Sequence, residues 1–101
     1  MPRYLIEVPH SSDTVECARV AHIFLSTGSH FLTNADWGCP DGVHSAWMVV
    51  DMPSKEEAAM IVPPMFRAHA KITRVTHFRI EKIEETLRKH GALPGKTPSG
   101  G

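Results

Sequence analysis

Net charge is the first thing missing. Eleven Lys and Arg balance eleven Asp and Glu over 101 residues. No long-range field therefore draws the chain toward nucleic acid or an anionic membrane, and neither is expected as a partner. Long apolar runs are missing too: no segment approaches the roughly 20 residues of a membrane-spanning helix. Met1-Pro2-Arg3-Tyr4 leads straight into a strand-like stretch, with no apolar signal region or small-residue cleavage site, so a cytoplasmic protein is expected. Cysteine is scarce. Cys17 and Cys39 are the only two. They form no short metal or redox spacing, and a disulfide between them runs against a reducing compartment. The length allows one domain, and a chain of this size buries roughly 60–70% of its unfolded surface. That margin is thin, and pairing would widen it.

Histidine, by contrast, is plentiful, with seven residues at His10, His22, His30, His44, His69, His77 and His90. They are scattered rather than consecutive, unlike a purification tag.

The apolar pattern divides the chain into alternating elements. Arg3 to Val8 reads as a strand ended by Pro9. Asp13 begins a helix with Glu16 in capping-box spacing. Cys17, Val20, Ala21, Phe24 and Leu25 fall on one side of it at helical period, and Gly28 closes it. His30 to Trp37 and Val43 to Asp51 read as two strands of a hairpin, turned by Gly38-Cys39-Pro40-Asp41-Gly42. Ser54 opens a second helix with Glu57 at the capping-box position, stopped by Pro63-Pro64. Ala70 to Phe78 is a fourth strand. A last helix follows, lined by Ile80, Ile83 and Leu87, with Glu84–Arg88 and Glu85–Lys89 spaced for ion pairs. Gly91 ends it. Residues 1–90 thus form a single domain, and 91–101 are expected to be a flexible tail.

The order β-α-β-β-α-β plus a C-terminal helix defines an α+β protein. Right-handed crossovers favour one antiparallel sheet in the ferredoxin-like order 4-1-3-2, with helices on one face. Strand positions of both parities are apolar, as in Tyr4, Ile6 and Val8 against Leu5, or Ala46, Met48 and Val50 against Trp47 and Val49. A sheet apolar on both sides with helices for only one implies a homodimer. This element order, over residues 3–78, resembles the dimeric α+β barrel superfamily. The opening Met1-Pro2-Arg3-Tyr4-Leu5-Ile6-Glu7 is similar to the start of its small, mostly uncharacterised members, which include a nickel-binding ferredoxin-like protein. The resemblance implies a dimer with either metal binding or small-molecule chemistry in a barrel cavity.

The topology sorts the histidines by end of the sheet. The end of strand 1 (His10), the hairpin (Cys39, His44) and the start of strand 4 (His69) share one end, while His30 and His77 belong to the other. His10 and His44 would face each other across neighbouring antiparallel strands. Imidazole and thiolate groups from separate strands suit zinc, copper or nickel, and Asp36 and Asp41 are at hand as ligands or as acceptors that orient an imidazole. The competing reading is that strand-end histidines serve hydrogen bonding and solubility. Cys39, in a Gly/Pro turn beside Trp37, is expected to be accessible. Cys17, on the apolar side of its helix, is expected to be an inert core residue.

A second constellation lies on the open sheet face. Glu7 interrupts an apolar stretch, with Trp47 and Ser45 one strand away and Arg74 or Thr73 on strand 4. A carboxylate beside apolar walls suits general acid–base work on a small organic ligand. Glu7 and Trp47 are therefore the catalytic candidates for an enzyme that isomerises, or oxygenates without a cofactor, a small apolar molecule. The bland alternative is a Glu7–Arg74 ion pair at the dimer interface, or a salt bridge near an edge, and the third functional reading is a non-catalytic dimer. Gly95-Lys96-Thr97 mimics the end of a phosphate-binding loop, but His90 stands where its first glycine belongs, and no strand precedes it.

Overall fold

The computed structural model describes residues 1–93, and residues 94–101, with Gly95-Lys96-Thr97 and most of the expected tail, lie outside them. The first strand, β1 (Arg3–Pro9), is followed by helix α1 (Thr14–Ser26), a single helical turn α2 (His30–Thr33), and a two-residue strand β2 (Asp36–Trp37). A 3-10 turn at Cys39–Asp41 leads to β3 (Ser45–Asp51), then come α3 (Lys55–Ala59), a 3-10 segment at Pro64–His69, β4 (Lys71–Val75) and α4 (Ile80–Lys89). The sheet runs β2-β3-β1-β4, which from the other edge reads 4-1-3-2. Every neighbouring pair is antiparallel. The protein is therefore α+β with a four-stranded antiparallel sheet.

The detail that differs is the second strand. Residues 30–33, read from sequence as the start of a strand, are helical. Ser29 caps them: its Oγ accepts from the Leu32 amide at 3.3 Å and its carbonyl accepts from Thr33 N at 2.9 Å. Asn34 adds a side-chain bond to the His30 carbonyl at 2.8 Å. Local polar side chains competing for the backbone outweigh a weak β pattern. The other caps follow the sequence, with Asp13 Oδ2 accepting from Glu16 N at 3.0 Å and Ser54 Oγ from Glu57 N at 3.1 Å.

The register sets the two faces of the sheet. Tyr4 pairs with Val50, Ile6 with Met48 and Val8 with Ala46, and all six are buried beneath the helices. Val20 and Phe24 of α1, with Leu32, Ala58 and Val62, close this core. Phe24, Ile6, Val8 and Val62 are its largest fully buried side chains, and full burial of one such side chain contributes about 1.5–3 kcal/mol. The opposite face carries Leu5 opposite Val49 and Glu7 opposite Trp47. Among the described residues no helix covers it, and Val49 is 60% exposed. Beyond β4, α4 displays the expected Ile80, Ile83 and Leu87 stripe, yet none of its residues is buried. Among the described residues, no helix is long and apolar enough to cross a membrane.

Candidate metal centre

The end of the sheet where β1 stops and β3 starts is pinned by one backbone bond, from His10 N to the His44 carbonyl at 3.0 Å. That bond extends the β1–β3 ladder past Pro9 and Ser45, and it brings two imidazoles together. Their ring centroids are 5.6 Å apart and the planes nearly perpendicular, at 89°. The His10 ring also meets the edge of Trp37 at 5.6 Å, and Trp37 in turn packs on Phe24 at 5.1 Å. The ring is thereby buttressed from the hydrophobic core.

Cysteines complete the group. The Cys39 turn places its Sγ 3.1 Å from His10 Nε2. Its geometry depends on two glycines. A Cβ on Gly38 would lie 2.6 Å from the Val43 carbonyl oxygen and 2.7 Å from the Trp47 ring, so the indole lies flush against bare backbone. Gly42 ends the turn at φ 80°, in the left-handed region, and its amide donates to the Cys39 carbonyl. From the other side, α1 lowers Cys17 onto the same point, with Sγ 3.3 Å from His10 Nε2 and 3.4 Å from Cys39 Sγ. One donor atom from each of His10, Cys17, Cys39 and His44 lies within 4.8 Å of every other.

These distances can be weighed against what an ion requires. Zinc bonds of about 2.0 Å to nitrogen and 2.3 Å to sulfur set tetrahedral donors roughly 3.3–3.8 Å apart. Three of the four donors already lie at 3.1–3.4 Å from one another. The fourth, from His44, lies within 4.8 Å of each of them. The Nδ1 atoms of both His10 and His44 are buried and have no hydrogen-bond partner. An unpaired buried imidazole nitrogen costs on the order of 1–3 kcal/mol; since His10 presents Nε2 to both sulfurs, a bound cation could relieve that cost only at His44.

The local electrostatics match. Burial lowers the His10 pKa below its ordinary 6.5, and the His44 ring adds to the effect. The Val8 backbone opposes the shift without cancelling it. The imidazole thus favours its neutral, metal-binding form. Cys17 is pushed above its ordinary 9.0, first by its hydrogen bond to Cys39, then by desolvation and by the repulsion of a second thiolate. Two adjacent thiols resist joint ionisation, and a cation between them would reverse that balance.

Of the residues singled out from sequence, His10, His44 and Cys39 converge. His69 does not join them. It ends the Pro64–His69 segment that feeds β4, and β4 lies on the far side of β1 from β3, so the fourth donor comes from above the sheet instead of its edge. Cys17, expected to be inert, takes that place. It does lie on the sheet-facing side of α1, but the helix starts only four residues after His10, so its first turns overhang the end of the sheet. A donor on that stripe, seven residues from His10, was the signal available. On the open face, Glu7 and Trp47 are cross-strand neighbours as read, and Glu7 Oε2 accepts from Ser45 Oγ at 3.0 Å. The Glu7–Arg74 ion pair is not formed. Arg74 pairs with Tyr4 on the other parity, and the strand 4 residue opposite Glu7 is Lys71.

Fold and site together define a class: a small α+β domain with a His2Cys2 cluster able to hold a metal ion. Comparison with known protein families, curated proteins and solved structures found no significant match.

Proposed function

We propose that this chain binds one transition-metal ion at His10, Cys17, Cys39 and His44, and that its task is to hold the ion rather than to activate water on it. The observation that carries the reading is the convergence of four neutralisable soft donors from four separate segments within 4.8 Å. Two imidazoles and two thiolates suit zinc best, with copper(I) next and nickel behind them. Four protein ligands leave no open position, which is the mark of a site that stores, senses or stiffens. Elemental analysis of tag-free protein and titration with zinc and cobalt(II) test it. One ion per chain with a tetrahedral thiolate spectrum is the supporting result. Zinc affinity left unchanged in a His10→Ala/His44→Ala variant would sink it.

The reading extends to a ferredoxin-like homodimer of the barrel type. Its support is the sheet face of Leu5, Trp47 and Val49, left without a helix among the described residues, which an identical face would cover across a two-fold axis. An enzyme built on Glu7 and Trp47 is the second reading. It is favoured by the Glu7–Ser45 hydrogen bond on that same face, where a dimer cavity would enclose a small apolar ligand. Turnover lost in Glu7→Gln with zinc binding intact would select it.

A further inference from the structure

Two of the four donors in the proposed centre can also bond to each other. Cys17 and Cys39 are free thiols, half-buried, with Sγ atoms 3.4 Å apart. A disulfide holds its sulfurs about 2.05 Å apart. Closing the gap therefore takes roughly 1.4 Å of combined movement of the two sulfurs.

Both sulfurs are also reachable. They line one cleft of about 430 Å³ between the first turns of α1 and the Cys39 turn, bordered by Ser12, Ala21, Trp37 and Pro40. His44 lines it as well. A small oxidant can enter without any element unfolding. Paired thiols that are close, accessible and outside a permanent disulfide are the arrangement that redox-responsive cysteines adopt.

We infer that Cys17 and Cys39 form a redox switch on the metal centre: a hydroperoxide joins them as a disulfide, and the ion is released. The inference rests on the metal-holding reading above. In the first step one sulfur attacks the peroxide oxygen, an S–O bond forms, and the O–O bond breaks. The thiol proton leaves with the alkoxide as an alcohol, or as water from hydrogen peroxide. In the second step the other sulfur attacks the sulfenic sulfur, the S–S bond forms, and hydroxide departs with the second thiol proton as water. Two sulfurs are oxidised by one electron each, and the peroxide takes both electrons. From the ion-bound dithiolate, two protons come from solvent instead. Only His10 and His44 then remain as donors, and a two-imidazole site does not retain zinc against a chelator.

The test is to treat zinc-loaded protein with stoichiometric hydrogen peroxide. Released zinc is followed with a chromogenic chelator, and the product is examined by intact mass and peptide mapping. The expected result is one zinc released per Cys17–Cys39 link, a mass lower by two hydrogens, and full zinc uptake after a thiol reductant. Oxygen addition without the link, a link between two chains, or a link formed with zinc retained each overturns the switch. The same oxidation of metal-free protein separates the two readings. A chain that binds zinc but forms no link loses the switch and keeps the metal centre. A chain that forms the link but takes up no zinc loses the metal centre, and with it the switch as stated. Peptide mapping on the unmodified chain does not depend on whether Cys→Ser variants fold.

Discussion

The His10 amide donates to the His44 carbonyl at 3.0 Å, so the two histidines of the centre are joined through backbone as well as placed side by side. Their mutual position is an extension of the β1–β3 register, which six buried side chains hold in place. Cys17 and Cys39 come from the first turns of α1 and from a turn that Gly38 N ties to the Ser45 carbonyl at 3.1 Å. The sheet register thus places the imidazoles, and helix and turn bring the thiols to them, an arrangement that preorganises binding.

Substitutions at the donors are expected to separate the true ligands from their neighbours. A structural zinc site is worth roughly 10–16 kcal/mol, so each of four ligands carries about 3 kcal/mol, or on the order of 100-fold in affinity. Cys17→Ser and Cys39→Ser are each expected to weaken zinc by about that factor. His69→Ala is expected to leave it unchanged. Competition against a chelator of known affinity measures all three, and a larger loss in His69→Ala than in Cys17→Ser would refute the assignment.

The strand order, the helix caps and the sheet end that gathers His10 and His44 were legible because they follow from local chemistry: Asp13 and Ser54 cap, and strand direction sorts the loops. The second helix, expected to run to Pro63-Pro64, stops at Ala59 instead. The Cys17 contribution was not legible. Periodicity identifies the face of a helix that looks at the sheet, but not how far the helix start overhangs the sheet end. The His30–Thr33 turn escaped for a related reason, since Ser29 and Asn34 act on the backbone in ways that an apolar pattern does not register.

Acid and alkali are expected to destabilise the metal-free protein for two different reasons. The folded-state pKa of His10 lies below the ordinary 6.5, mainly through burial. As pH falls past 6.5 the unfolded chain takes up the proton first, so stability falls through the window between 6.5 and the lower folded value. Cys17 is shifted the other way, above 9.0, chiefly by its hydrogen bond to Cys39. As pH rises past 9.0 the unfolded thiol ionises first, and stability falls again. Urea-unfolding midpoints of apo-protein are expected to plateau between these limits. Cys17→Ala is expected to remove the alkaline fall and leave the acid one.

Pairing through the open face is expected to depend on Val49, which lies opposite Leu5 and is 60% exposed in the single chain. Val49→Glu would bring two carboxylates toward the two-fold axis of a dimer but has little to disturb in a monomer. Light scattering is expected to show a dimer for the parent chain and a monomer for the variant, with unchanged helix and strand content by circular dichroism. A parent chain that is monomeric at every accessible concentration removes the dimer.

The two glycines of the Cys39 turn are expected to fail differently when a methyl group is added. At Gly38 the new Cβ would meet the Val43 carbonyl oxygen at 2.6 Å and the Trp47 ring at 2.7 and 2.8 Å. The carbonyl cannot yield freely, because Val43 O accepts from Ser45 N at 2.9 Å while Val43 N donates to Gly38 O at 3.0 Å. Overpacking of this kind costs about 1–3 kcal/mol, and relief must come from moving the turn that carries Cys39. Gly38→Ala is therefore expected to weaken zinc binding along with stability. At Gly42 nothing lies within 4 Å of the added carbon, but φ is +80°. The cost there is backbone strain alone, about 1–2 kcal/mol, and Gly42→Asn should recover much of it, because asparagine tolerates the left-handed region. Thermal unfolding and zinc competition on Gly38→Ala, Gly42→Ala and Gly42→Asn distinguish the two mechanisms. If Gly38→Ala keeps full zinc affinity, the Trp47–Gly38 packing does not position Cys39.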